Sequence, residues 1–291
     1  MFCPKCGKKN EDDAGFCEDC GISLEKNKTA LHVTQSNIVS LLRHPKEDTY
    51  FLVAAIAGGI VWLGLIWLVI LFFWIAIPAI IGLWLSEQFF KSRLLGNSIR
   101  ISQGQYPDIY EIIQQQSKTL NINPPEVFIY YSQGSKNAFA MKLIKTKYGI
   151  LFSDLIDIML SHNSLLELSA IIGHEIGHHA AGHTAIWKRL LLTPAMFVPF
   201  LGPAYFRACE LTADRIGMYL CGDKEAAYRA LITLACGSFV LAPKTNINEF
   251  KEQESLLSPF FAFLNDLWST HPRITKRVLA LEEASHILKS S

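Results

Sequence analysis

Residues 51–85 carry no charged side chain, and that run limits the fold more than any other feature of the chain. As one straight helix, these roughly 35 residues would extend ~52 Å, against ~30 Å of bilayer hydrocarbon. Two spans would have ~17 residues each, with almost no room for a loop. Gly58, Gly59, Gly64 and Pro78 are tolerated inside membrane helices and do not settle the break point. The flanks are more informative. Lys26, Lys28, Arg43 and Lys46 lie upstream and Lys91, Arg93 and Arg100 downstream, so both sides are comparably basic where a single span should be asymmetric. A tight helical hairpin with both ends cytosolic is therefore expected over one long span. A buried core helix of a soluble domain fails on length. The expected layout is a terminal module at 1–24, a polar linker at 25–50, the membrane segment at 51–85 and a second domain at 86–291.

Charge narrows the function classes. With 27 Lys+Arg against 26 Asp+Glu, no basic surplus exists to neutralise phosphates, which argues against a nucleic-acid binder. Only 18% of residues are charged while 50% are hydrophobic, and that composition excludes wholesale disorder.

Cys3, Cys6, Cys17 and Cys20 form two CxxC knuckles, followed by Gly7 and Gly21. Each knuckle turns two thiolates toward one point, which suits tetrahedral Zn²⁺. Disulfides are the competing reading, but so short a segment has too little apolar mass to fold unaided. The module resembles the short zinc ribbons that open many prokaryotic membrane proteins, and such ribbons bind or tether protein partners. Lys5, Lys8 and Lys9 precede acids with no apolar run, so no signal peptide is expected. Zinc thiolates persist in reducing compartments, which puts the N-terminus in the cytosol. Cys209, Cys221 and Cys236 lie among apolar residues and read as small buried hydrophobes.

Beyond the apolar run the pattern is α+β. Residues 107–120 have helical periodicity through Ile109, Ile112 and Ile113. Residues 126–131, 137–142 and 148–152 read as short strands. Ser164 and Glu167 have capping-box spacing and start a further helix. On it lie His174, Glu175 and His178. Histidines at i and i+4 share a helical face and can reach one Zn²⁺, while Glu175 beside them can act as general base. His179 and His183 read as helix-end histidines favoured by the macrodipole.

A catalytic zinc needs a third protein ligand. Glu210 and Asp214 are again i and i+4, in a mostly apolar segment at 204–220. Glu210 suits a ligand and Asp214 a partner for the outer nitrogen of a ligating imidazole. The bland alternative is an exposed acidic face compensated by Arg215. Residues 190–206 are apolar but interrupted by Pro194, Pro199 and Pro203, too short and broken for a span, and read as a buried or interfacial lid. Asp223 is placed to cap a helix at 224–241, and Pro272 to open one carrying Ile274, Val278, Leu279 and Leu281.

The two histidines followed by Glu210 and Asp214 resemble the gluzincin peptidases. Asn137, Ala138, Phe139 and Ala140 are similar to the edge strand of the HtpX and CAAX prenyl protease family of membrane metallopeptidases. Ser269, Thr270, His271, Pro272 and Arg273 are similar to that family's C-terminal histidine-proline motif. The resemblance covers about 107–281. It implies that His174, His178 and Glu210 bind zinc, that Glu175 is the base and that Asp214 orients a ligand histidine. It further implies that Asn137, Ala138, Phe139 and Ala140 pair with an extended substrate, and that His271 or Arg273 contacts the oxyanion. Better-known members carry additional spans between the zinc helix and the third ligand, where this chain has only the broken segment at 190–206.

The expectation is an α+β, mainly helical gluzincin domain with a small antiparallel or mixed sheet, preceded by a zinc ribbon and a transmembrane hairpin. It would hold one catalytic and one structural zinc and hydrolyse membrane or misfolded proteins. It would sit as a multi-pass protein in a prokaryotic inner or plasma membrane, with its N-terminus and catalytic domain cytosolic. An inert zinc-binding scaffold and a prenyl-peptide protease are the alternatives. The partners are protein or peptide substrates, the bilayer and a possible protein for the ribbon, with no nucleic acid.

Overall fold

The computed structural model describes residue 8 and residues 38–131, 139–143, 146–153, 156, 165–198, 201–238 and 240–290. Cys3, Cys6, Cys17, Cys20, Asn137, Ala138 and the expected cap Ser164 lie outside the described residues. The order is α1 (Ile38–Leu42), α2 (Glu47–Leu71), α3 (Phe73–Gly96), β1 (Ser98–Arg100), α4 (Pro107–Thr119), β2 (Glu126–Tyr130), β3 (Phe139–Leu143) and β4 (Thr146–Phe152). Then follow α5 (Leu165–Ala180), α6 (Ile186–Leu192), a 3-10 turn (Pro194–Phe197), α7 (Leu201–Cys221), α8 (Lys224–Cys236), α9 (Ile247–Glu252), α10 (Pro259–Trp268) and α11 (Ile274–Ser290).

Two helices, Glu47–Leu71 and Phe73–Arg93, are long and apolar enough to cross a membrane. At 1.5 Å per residue, α2 is about 37 Å long, sufficient for ~30 Å of hydrocarbon. The two helices meet at Phe72, whose N–H donates to the Leu68 carbonyl at 2.9 Å and whose carbonyl accepts from the Ala76 amide at 3.1 Å, so a single residue joins them. The first turns of α2 are part of the folded domain. Ala54 is fully buried with Leu192, Ala195, Tyr205 and Cys209, and Phe51 meets Trp187 edge-on at 5.9 Å. Trp62 Nε1 donates to the Leu190 carbonyl at 2.9 Å. The broken segment at 190–206 thus packs on α2.

Within the expected polar linker, the described residues 38–50 are structured. Ile38 and Leu42 are buried in the main core, and the His44 amide donates to Thr212 Oγ1 at 2.8 Å.

The sheet has strand order β1-β2-β4-β3. β2 and β4 run parallel, while β1 and β3 are antiparallel edges. Three strands were expected; β1, at three residues, is too short to show a period. Behind the sheet lies α5. Val127, Ile129 and Leu151 join Ile171, Ile172 and Ile176 in one core, with Ile109, Ile112 and Ile113 of α4 on the same cluster. Gln116 of α4 ties itself to α5 through the Ser169 carbonyl at 2.8 Å.

Asp223 caps α8 through the Ala226 amide at 2.7 Å. That helix stops at Cys236, short of residue 241, because Gly237 adopts φ 63°, a left-handed terminator. Cys209 and Cys221 are buried as expected, but Cys236 at this helix end is exposed.

Candidate metal centre

The site is made where α5 and α7 cross, and small residues set how closely they approach. A Cβ on Gly217 would come within 2.6 Å of the Ala170 carbonyl oxygen and 2.9 Å of the His174 amide nitrogen. A Cβ on Gly173 would reach 3.0 Å from the Gly217 Cα. Bare backbone at this crossing brings the histidine face of α5 against the acidic face of α7.

Three donors converge there. His174 Nε2 and His178 Nε2 are 3.2 Å apart. His178 Nε2 lies 3.3 Å from Glu210 Oε1, and His174 Nε2 lies 3.6 Å from Glu210 Oε2. Donors bound at 2.0–2.1 Å to a tetrahedral zinc lie about 3.3 Å from one another. Two imidazole nitrogens and a carboxylate at these spacings fit zinc.

The outer nitrogen of His174 is spoken for. Its Nδ1 lies 2.8 Å from Asp214 Oδ1, which leaves Nε2 to face the other donors. Asp214 is itself forked by Arg277, Nε to Oδ2 at 2.7 Å and Nη2 to Oδ1 at 2.6 Å. Burial pushes the Asp214 carboxyl up, but Arg277 and His174 more than offset this and hold it below the usual range. Glu210 behaves alike: burial raises it, and His178, His174 and Arg277 together hold it well below. Burial lowers His174, yet Asp214 and Glu210 leave it net raised. Both carboxylates are thus kept ionised, as a cation site requires.

His178 has its own support. Gly182, at φ 72°, ends α5 in a Schellman arrangement: the Gly182 amide bonds the His179 carbonyl at 3.1 Å and the His183 amide bonds the His178 carbonyl at 3.0 Å. This turn folds His183 back so that its Nδ1 lies 2.9 Å from His178 Nδ1. His183 Nε2 lies 3.0 Å from Glu47 Oε1, on the first residue of α2. Burial, set against Glu47, lowers the His183 pKa to about 4.

A cavity of about 1090 Å³ opens over these donors, lined by Glu175, His178, Glu210, Thr270, His271 and Arg277 among others. Glu175 is on its wall beside His174, as the pentapeptide spacing required. Leu192, Thr193 and Met196 also line it, so the broken segment at 190–206 walls the site. His271 stands at the mouth, two-thirds exposed, its Nε2 3.7 Å from Glu210 Oε1. Arg273 is not on this wall; its guanidinium is committed to Glu254 at 2.6 Å and Asp266 at 2.7 Å. β3, which carries Phe139 and Ala140, is the sheet edge, paired with β4 through Phe139↔Ile150 and Ala140↔Gly149.

Sequence reasoning did not single out Arg277 or Glu47, and it read His183 as a helix-end histidine where the structure sets its Nδ1 against that of His178. Arg215, the compensating cation in the alternative of an exposed acidic face, is not what forks Asp214. Arg277 does so from a helix read only for its apolar spacing. His183 carried a signal in the glycine just before it, which turns the chain back toward His178.

Comparison with known proteins gives the chain a family. The family model for peptidase family M48 matches residues 104–198 and 185–285, and a zinc-ribbon domain model matches residues 2–24. The chain is 25% identical over 228 residues to the plastoglobule-localized metallopeptidase 48 of Arabidopsis thaliana, covering 70% of this chain and 64% of that one. It is 31% identical over 131 residues to a protease HtpX homolog of Archaeoglobus fulgidus, covering 44% and 37%. With a protease HtpX homolog of Nostoc punctiforme it shares 27% over 223 residues, covering 62% and 74%. The chain thus spans under two thirds of the plant and archaeal relatives. No solved structure matches it. With the peptidase model matched across both the histidine helix and the carboxylate helix, the chain belongs to peptidase family M48.

Proposed function

We propose that this protein is a membrane-anchored zinc endopeptidase. The observation that carries this is the convergence of His174 Nε2, His178 Nε2 and a Glu210 carboxylate at tetrahedral spacing, on the wall of a cavity that also holds Glu175. Zinc held by these three residues would supply Lewis acidity toward the scissile carbonyl and the attacking water. Glu175 takes the proton from that water and passes it to the leaving amine. Asp214 fixes the His174 tautomer, and Arg277 keeps Asp214 ionised in its buried position. His271, at the cavity mouth, offers a donor to the negative charge that develops on the carbonyl oxygen.

The substrate is an extended protein or peptide segment. β3 ends the strand order, and its outer edge has no strand partner among the described residues. A peptide can add there as a further strand, through backbone hydrogen bonds along Phe139 and Ala140 and the preceding Asn137 and Ala138. Membrane or misfolded proteins fit an edge that reads backbone and not side chains.

In this reading Cys3, Cys6, Cys17 and Cys20 bind a second, structural zinc, and the ribbon engages a protein partner. The two apolar helices cross the bilayer with both flanks and the catalytic domain in the cytosol, which the similarly basic flanks support. The test is digestion of casein by the full-length protein in detergent, with and without chelator. Hydrolysis that chelator abolishes and zinc restores is the expected outcome; chelator-insensitive hydrolysis rejects the zinc mechanism.

A further inference from the structure

His174 and His178 are both imidazoles of the metal centre, yet their outer nitrogens are held by different parts of the chain. Asp214 holds His174 from within the helix pair. His178 is held by His183, and His183 by Glu47, the first residue of the apolar helix α2. Glu47 is 1% exposed. Its second oxygen accepts from Thr212 Oγ1 at 2.5 Å, and Arg43 pairs with the first. Thr212 lies on α7 between Glu210 and Asp214, so this carboxylate is fixed from three directions.

Proton placement along the chain is determined by the bonding. With Nε2 of His178 facing the metal, its proton is on Nδ1 and is donated to His183 Nδ1. His183 then carries its own proton on Nε2 and donates it to the Glu47 carboxylate. Glu47, His183 and Cys209 also lie close enough to hold a cation among themselves. That use conflicts with a loaded catalytic site. A cation on His183 Nε2 would place a proton on its Nδ1, and two N–H groups would then face each other at 2.9 Å. The Glu47 carboxylate is moreover already occupied by Arg43 and Thr212.

We propose that Glu47 is a positioning residue for the zinc ligand His178, acting through His183, so that the membrane helix itself holds one ligand of the catalytic centre. The proposal rests on the zinc reading of the site. It gives the buried carboxylate at the head of α2 a role, and ties zinc affinity to the seating of α2 on α7.

The test is a double-mutant cycle in the full-length protein in detergent. Zinc affinity of the labile site is read by competition with a chromophoric chelator, and the visible spectrum of the Co²⁺-substituted protein is recorded. Glu47→Gln and His183→Leu should each weaken zinc about 10–100-fold, as losses behind a ligating imidazole do, and shift the Co²⁺ bands. The two losses should not add, because Glu47 has no route to His178 once His183 is gone. His183→Asn, which restores an acceptor near the Nδ1 position, should recover affinity. Glu47→Asp, which keeps the charge but retracts the oxygen from His183, covers the case in which Glu47→Gln fails to fold. Unchanged affinity and spectrum in a folded Glu47 variant, or losses that add in full, overturn the proposal. Glu210→Gln separates the two levels: if it retains labile zinc as tightly as the unmodified protein, the zinc reading itself fails.

Discussion

Arg277 grips Asp214 with two parallel hydrogen bonds, Nε to Oδ2 at 2.7 Å and Nη2 to Oδ1 at 2.6 Å. Both side chains are buried, and the same Oδ1 holds His174 Nδ1. Arg277→Met leaves the carboxylate charged, buried and short of its main partner. Breaking such a pair from one side costs about 3–5 kcal/mol. The variant should lose stability of that order in denaturant unfolding and bind catalytic zinc more weakly. Arg277→Lys should recover only part of this, since an ammonium cannot form the planar fork.

The helix crossing gives a second prediction. Gly217→Ala puts a methyl 2.6 Å from the Ala170 carbonyl oxygen, closer than real Cβ atoms come to other atoms. The two helices must move apart, at a cost of about 1–3 kcal/mol, and the donors move with them. Lower melting temperature and lower zinc affinity should appear together. Gly59→Ala is the control: a Cβ there meets nothing within 4 Å, and neither quantity should change.

These two cases show what was legible in the sequence. His174, His178, Glu210 and Asp214 could be read because each pair lies four residues apart on one helix, so its geometry is local. Arg277 could not, because its partner is 63 positions away and Arg273, beside the histidine-proline pair, drew attention first. Gly173 and Gly217 carry no pattern, since a close approach is a property of two helices and not of one. Glu47 read as linker because its burial depends on Thr212 and His183 meeting it from distant segments. Apolar periodicity made α4 and α11 visible, and composition made β2, β3 and β4 visible; α1, α6, α9 and α10 are short helices that the sequence did not announce, and β1 is too short to have a period.

Arg273 and Glu254 give a pH-dependent prediction. Burial raises the Glu254 carboxyl, but its bonds to Arg273 and Thr275 more than offset this and leave it lowered. A carboxyl whose folded pKa is depressed contributes stability above its unfolded pKa and loses it as pH falls through the folded value. Glu254→Gln should therefore melt below the unmodified protein at neutral pH, by about 1 kcal/mol of stability. The gap should narrow below about pH 4, near the unfolded carboxyl pKa. A gap that stays constant or widens in acid contradicts the assigned direction.

Metal stoichiometry tests the N-terminal module. Two sites imply two zinc ions per chain, one held by thiolates and one labile. Removing residues 1–24 should remove the thiolate-bound zinc and leave chelator-sensitive casein hydrolysis in place. If metal analysis finds the same zinc content with and without this segment, the cysteine quartet is not a zinc site.

Glu175 and Glu210 are both carboxylates on the wall of the same cavity, and their assigned roles differ: one moves a proton, the other holds the metal. Glu175→Gln cannot accept the proton, so turnover should fall by about 10²–10⁴-fold with the zinc content intact. Glu210→Gln presents a neutral amide in place of a charged ligand and should lose catalytic zinc together with activity. Zinc content and casein turnover measured in parallel on the two variants are the most direct test of the centre. A Glu175→Gln protein that loses its labile zinc, beside a Glu210→Gln protein that keeps it, would show the base and the ligand to be assigned to the wrong carboxylates.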